Sequence, residues 1–95
     1  MTEKQLEEKC TAFARSKGIA VVKLENNQNK GIPDRMFIAE GGDVLFVEFK
    51  NPNKKGVVSQ EQKFWLSFLG GKGHICDNFA DFVLKISNLF ACEQS

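Results

Sequence analysis

At 95 residues the chain is long enough for one domain with one core, near the lower size at which a single core supports itself. A hydrophobic share of 42% and a charged share of 26% belong to an ordinary globular domain and exclude a fibrous or disordered chain. The net charge of +1 excludes an overall basic field, so any site for an anion such as nucleic acid must be a local patch. No apolar run reaches transmembrane length, and the charged start "MTEKQLEEK" does not read as a signal peptide, so a cytoplasmic location is expected. Cys10, Cys76 and Cys92 are odd in number, widely spaced and form no CxxC pair. They predict free thiols in a core rather than a zinc site or a disulfide framework.

In chain order, Thr2 caps a predicted helix that runs to about Lys17 and stops at Gly18, with Leu6, Cys10, Phe13 and Ala14 on one face. Ile19 to Glu25 reads as a first strand, and the polar run "NNQNKG" as a loop. Asp34 to Glu40 and Val44 to Lys50 read as two strands of an antiparallel hairpin around the "GGD" turn. "NPNKKGVV" is a basic loop. Ser59 then opens a helix to Leu69, with Gln62 three residues later completing a capping box. The helix ends at Gly70-Gly71, "HIC" is a short fourth strand, and Asp77 or Asn78 caps a last helix with Phe79, Phe82, Val83, Ile86 and Phe90 on one face. The order is α-β-β-β-α-β-α in a single domain spanning 1–95, with helices expected on both faces of a small mixed sheet.

The segment "GIPDRMFIAEGGDVLFVEFK" places three charges in the most strand-like part of the chain. Alternation sends Leu45, Val47 and Phe49 to one face and Val44, Phe46, Glu48 and Lys50 to the other. Glu48 and Lys50 are then neighbours at the strand's exit, which by itself is compatible with a solvated ion pair. Pairing around the turn brings Asp34 to the same sheet end, opposite a residue close to Lys50. Two carboxylates and an amine converge there. Such carboxylates repel unless a cation bridges them. Oxygen ligands without His or Cys favour Mg²⁺ or Mn²⁺. A lysine beside a divalent ion suits phosphodiester hydrolysis, because the amine can orient a water or counter charge on the phosphorus.

The ordered set "GIPDR", "GGD", "EFK", "NPNKK" and "SQEQKFW" is similar to the VRR-NUC family, the virus-type replication-repair nucleases of the PD-(D/E)xK superfamily. The resemblance runs from the first helix to the fourth strand. It implies a restriction-endonuclease-like α-β-β-β-α-β core and a Mg²⁺- or Mn²⁺-dependent nuclease. By resemblance, Asp34, Glu48 and the Phe49 carbonyl would bind the metal, Lys50 would position the nucleophile, and Gln62 would lie near the active site. The family also carries a glutamate on the first helix. Glu7 flanks the apolar face there, whereas Glu8 points nearly opposite it, so Glu7 is the better match, acting on the metal directly or through water; a solvated helix-flank glutamate is the other reading.

Gln62 has two competing roles, capping and catalysis. Lys23, Lys30, Arg35, Lys54, Lys55 and Lys63 are candidate contacts for DNA backbone, against ordinary solvated side chains. His74 and "GGKGH" read as structural, and Phe64, Trp65 and Phe68 as core or a subunit interface rather than a base-stacking platform. Small family members, chiefly viral and bacterial, imply a homodimeric Holliday-junction resolvase in DNA repair. A monomeric flap or nicking nuclease, an inactive branched-DNA-binding module and a domain unrelated to nucleic acid are the alternatives.

Overall fold

The computed structural model describes residues 1–24, 29–53 and 56–90, with side chains to residue 88. Helix α1 spans Glu3–Ser16. Thr2 caps it: its hydroxyl accepts the Gln5 N–H while the Gln5 side chain accepts the Thr2 N–H, so two otherwise orphaned donors are satisfied. Strands β1 (Ala20–Lys23), β2 (Arg35–Ile38) and β3 (Val44–Phe49) follow, then helix α2 (Gln60–Leu69), a 3₁₀ turn at Gly70–Lys72, strand β4 (Gly73–Cys76) and helix α3 (Phe79–Phe90). Asn78 is the cap of α3, its side-chain oxygen accepting the Asp81 N–H.

The sheet order is β1-β2-β3-β4. The first two pairings are antiparallel and β3 pairs β4 in parallel, the connection being made through α2. Beyond β2, Ala39 N–H donates to Asp43 O and Gly42 N–H to Ala39 O, so Ile38 and Val44 are the first pair of the hairpin.

One face of the sheet carries the core. Leu45, Val47 and Phe49 of β3 are fully buried there, with Phe37 and Cys76 from the flanking strands. Leu6, Cys10 and Ala14 of α1 and Phe82 and Ile86 of α3 pack into the same cluster. Phe82 makes ring contacts with Phe13, Phe37 and Phe49, which ties both helices to the sheet. Cys10 and Cys76 are free and buried within it, while Cys92 lies outside the described residues. The opposite face is less covered than expected. α2 touches β4 through Leu66 and Leu69, over Gly73, yet contributes no buried residue.

Candidate functional site

Four pieces of backbone meet at one end of the sheet: the turn from Gly31 to Asp34, the end of β3, the 56–58 segment and the first turn of α2. Gly31 has φ +90°, a conformation that glycine adopts without strain. A Cβ built on it would lie 2.5 Å from the Glu61 carbonyl carbon and 2.7 Å from the Gln62 nitrogen. Glycine is what lets this turn close onto α2. The Trp65 indole N–H donates to the Lys30 carbonyl at 3.2 Å and adds a second tie. Pro33 is fully buried, and the chain emerges at Asp34.

Asp34 was expected to begin β2, but the strand starts at Arg35. The Asp34 carboxylate instead accepts the Phe49 N–H at 2.8 Å, so its side chain takes the place of a backbone partner. Because Arg35 pairs with Val47, the next position in register sets Asp34 opposite Glu48, close to Lys50 as expected. The two carboxyl groups interact directly, each influencing the other's ionisation. Glu48 is only 7% exposed. Burial, reinforced by the charge of Asp34, pushes its pKa up from 4.5 to about 8, against the pull of Lys50. Burial also raises Asp34, helped by the charge of Glu7 and opposed by the Phe49 N–H. Both shifts run the same way, so the pair favours holding a proton between its two carboxyl groups.

This donor set fits a hard divalent cation. Two carboxyls in contact are forced to share a proton where a cation would let both ionise. In an extended strand the N–H and C=O of one residue point the same way, so the Phe49 carbonyl is directed toward Asp34 as its N–H is. Among the described residues no group of three or more His, Cys, Asp or Glu side chains could hold a metal. Ligation here would use two carboxylates and a main-chain oxygen, with water completing the shell, as Mg²⁺ commonly does.

Lys50 sits beside this pair. Its Nζ lies 3.8 Å from Glu48 Oε2 and donates to Gln62 Oε1 at 3.0 Å and to the Val57 carbonyl at 3.3 Å. Gln62 Oε1 also accepts the Ser59 N–H at 2.9 Å, while Ser59 Oγ accepts the Gln62 N–H. The oxygen that completes the cap of α2 is thus also the one that accepts from Lys50.

Glu7 does approach the sheet, but its carboxylate accepts from Arg35 Nε at 2.7 Å, with both side chains largely buried. Arg35, a candidate contact for DNA backbone, thus has its Nε engaged by Glu7. Lys23, Lys30 and Lys63 are exposed, Lys30 lying 3.8 Å from Glu61. Lys54 and Lys55 lie outside the described residues. His74 pairs with Asp81 of α3 at 2.7 Å, a tie between β4 and that helix.

Phe64 and Phe68 are 57% and 72% exposed, which removes the core reading for them. With Trp65 they form one ring cluster, Phe64 edge-on to both neighbours at centroid distances of 5.0 and 5.9 Å. An open cleft of about 460 Å³ beside them is lined by Asn29, Lys30, Gln60, Glu61, Phe64 and Trp65, and contains neither carboxylate of the pair.

Gly56, the Val57 carbonyl and the pairing of Glu7 with Arg35 were not singled out from the sequence as parts of this arrangement, and Gly31 stood out only as the first residue of "GIPDR". Their signals, a glycine on either side of the hairpin and an arginine adjoining Asp34, are common enough to pass as turn formers and surface charge.

No curated protein matches the chain. A family model for the VRR-NUC domain matches residues 2–83, most of its length and every element from the Thr2 cap into α3. The chain belongs to the VRR-NUC domain family, a family of nucleases acting on DNA.

Proposed function

We propose that the protein is a Mg²⁺- or Mn²⁺-dependent endodeoxyribonuclease selective for branched DNA, acting as a homodimeric Holliday-junction resolvase. The observation that carries this reading is the carboxyl pair of buried Glu48 and half-buried Asp34, with the Lys50 ammonium held beside it. Asp34, Glu48 and the Phe49 carbonyl would hold the cation. When bound, such an ion polarises the scissile phosphate and lowers the pKa of a coordinated water.

The protein's own groups do the rest. With a cation held between them, both Asp34 and Glu48 could be ionised, since the ion would compensate their charges. Phe49 N–H keeps one Asp34 oxygen occupied and leaves the other for ligation. Lys50 donates to the attacking water and offsets negative charge growing on the phosphorus, in a site where low exposure strengthens that interaction. Gln62 holds the amine in position, and Glu7 assists through water from its bond to Arg35. Lys23, Lys30, Lys54, Lys55 and Lys63 supply backbone contacts that set register but not sequence.

A nicking assay with Mn²⁺ on labelled four-way junction, flap and duplex DNA tests the reading. Paired cuts on the junction in preference to duplex are expected. Single cuts confined to flaps would replace the resolvase by a monomeric nicking enzyme. Tight junction binding without any cut would leave an inactive binding module, and neither binding nor cleavage would remove DNA from the account.

A further inference from the structure

The Lys50 stem runs beneath the segment that leads into α2. A Cβ built on Gly56 would lie 2.6 Å from Lys50 Cδ and 3.0 Å from its Cβ and Cγ. These are the middle and root of the side chain, which cannot swing aside as a tip can. What the position excludes is volume against one lysine. Immediately beyond it, Val57 offers its carbonyl to Lys50 Nζ, and Ser59 holds the Gln62 oxygen that is the amine's nearer acceptor.

We propose that Gly56 is a positioning residue for Lys50: its missing side chain lets the 56–58 segment lie on the lysine stem, so that the Val57 carbonyl and Gln62 Oε1 clasp the ammonium beside Glu48. The proposal rests on the catalytic reading of Lys50 given above. The clasp acts on orientation. It leaves the carboxylates, and hence cation affinity, untouched. Misplacing a catalytic group by about 1 Å can cost about 10²-fold in rate.

The test compares Gly56→Ala and the bulkier Gly56→Val with Lys50→Ala and with Gly71→Ala, whose added Cβ would meet nothing within 4 Å. Gly56→Ala should lower kcat on junction DNA about 10- to 100-fold, Gly56→Val more, with KM, Mn²⁺ affinity by calorimetry and melting temperature unchanged. Gly71→Ala should match the parent. A second readout needs no variant to turn over. In the parent, the Lys50 ammonium should give a discrete ¹⁵N resonance, protected from exchange by its two acceptors, and Gly56→Ala should broaden it toward that of an exposed lysine. If Lys50→Ala loses turnover while Gly56→Ala keeps full kcat, the clasp is wrong and the catalytic reading stands. If Lys50→Ala is fully active, the catalytic reading itself fails. Should Gly56→Ala not fold, an unprotected Lys50 resonance in the parent overturns the proposal and a protected one supports it.

Discussion

Glu48 shows how much of the chemistry is set by the placement of a single group. With a pKa raised to about 8, it binds a proton in the folded protein over a range where the unfolded chain, at 4.5, has released it. Its contribution to stability is therefore full below about pH 4.5 and is lost as pH rises through about 8, a change on the order of a few kcal/mol. Asp34, raised in the same direction, adds to the same trend. Without divalent cation, melting temperature should fall across this window. Mn²⁺ should raise it more at the alkaline end, because the ion competes with the proton for the same oxygens. A melting temperature that rises with pH in chelator would show the pair to be ionised and otherwise compensated. Glu48→Gln should flatten the pH dependence and abolish cleavage, and Asp34→Asn should abolish cleavage as well, while both keep the fold and bind junction DNA at least as tightly. Full activity of either variant in Mg²⁺ would remove these residues from the site. Lys50→Ala should behave differently, keeping Mn²⁺ affinity while losing about 10²-fold or more in kcat. Loss of metal binding in calorimetry would make Lys50 a structural counter-ion instead.

At the scale of elements, the site depends on how α2 is seated. α2 buries none of its residues, so packing on the core cannot by itself fix its first turn. Short backbone approaches do: Gly31 against Glu61 and Gln62, and the Trp65 indole on the Lys30 carbonyl. Gly31→Ala would meet backbone atoms, which cannot rotate away, and would also strain a φ of +90°. It should destabilise the protein by about 1–3 kcal/mol and lower turnover by displacing Gln62 from Lys50, as urea unfolding and single-turnover cleavage would reveal. Unchanged values for both would mean that α2 is held by something else. The same contrast explains what could be read in advance. Helix starts were legible because caps are local: Thr2 marks the start of α1, and Ser59 with Gln62 announces α2 over four residues. The hairpin and the meeting of Asp34, Glu48 and Lys50 were legible because alternation and a short turn propagate register. The start of β2 was misplaced because Asp34, which looks like a strand residue, spends its carboxylate on the Phe49 N–H. Glu7's partner, and the glycines that seat α2 and Lys50, were not legible. Each is a contact between segments remote in sequence, and nothing in a local pattern records which neighbour a missing Cβ makes room for.

At the scale of the molecule, the open question of strand symmetry turns on the outer surface of α2. Two opposed cuts at a four-way junction need two active sites, and this chain supplies one carboxylate pair among its described residues. Phe64 and Phe68 stand exposed in a ring cluster with Trp65, on the helix whose first turn reaches Lys50. Exposed aromatic patches of this kind usually mark an interface. An isologous contact through α2 would relate two sites by a two-fold axis, matching the approximate symmetry of the junction. It would also place each Gln62–Lys50 pair close to the subunit boundary, so that dimerisation and positioning of the two cuts would be linked. The combined variant Phe64→Ser, Phe68→Ser changes residues that touch neither carboxylate nor lysine, and it should leave the monomer folded. Light scattering at micromolar concentration should report a dimer for the parent and a monomer for the variant. On junction DNA the variant should still nick, but its two cuts should become uncoupled, so that singly nicked junctions accumulate where the parent gives resolved duplexes. A parent that is monomeric both alone and on junction DNA would exclude the resolvase and leave a single-cut nuclease. A parent that is dimeric and a variant that remains so would place the two-fold contact elsewhere, the less covered face of the sheet being the surface then left to carry it.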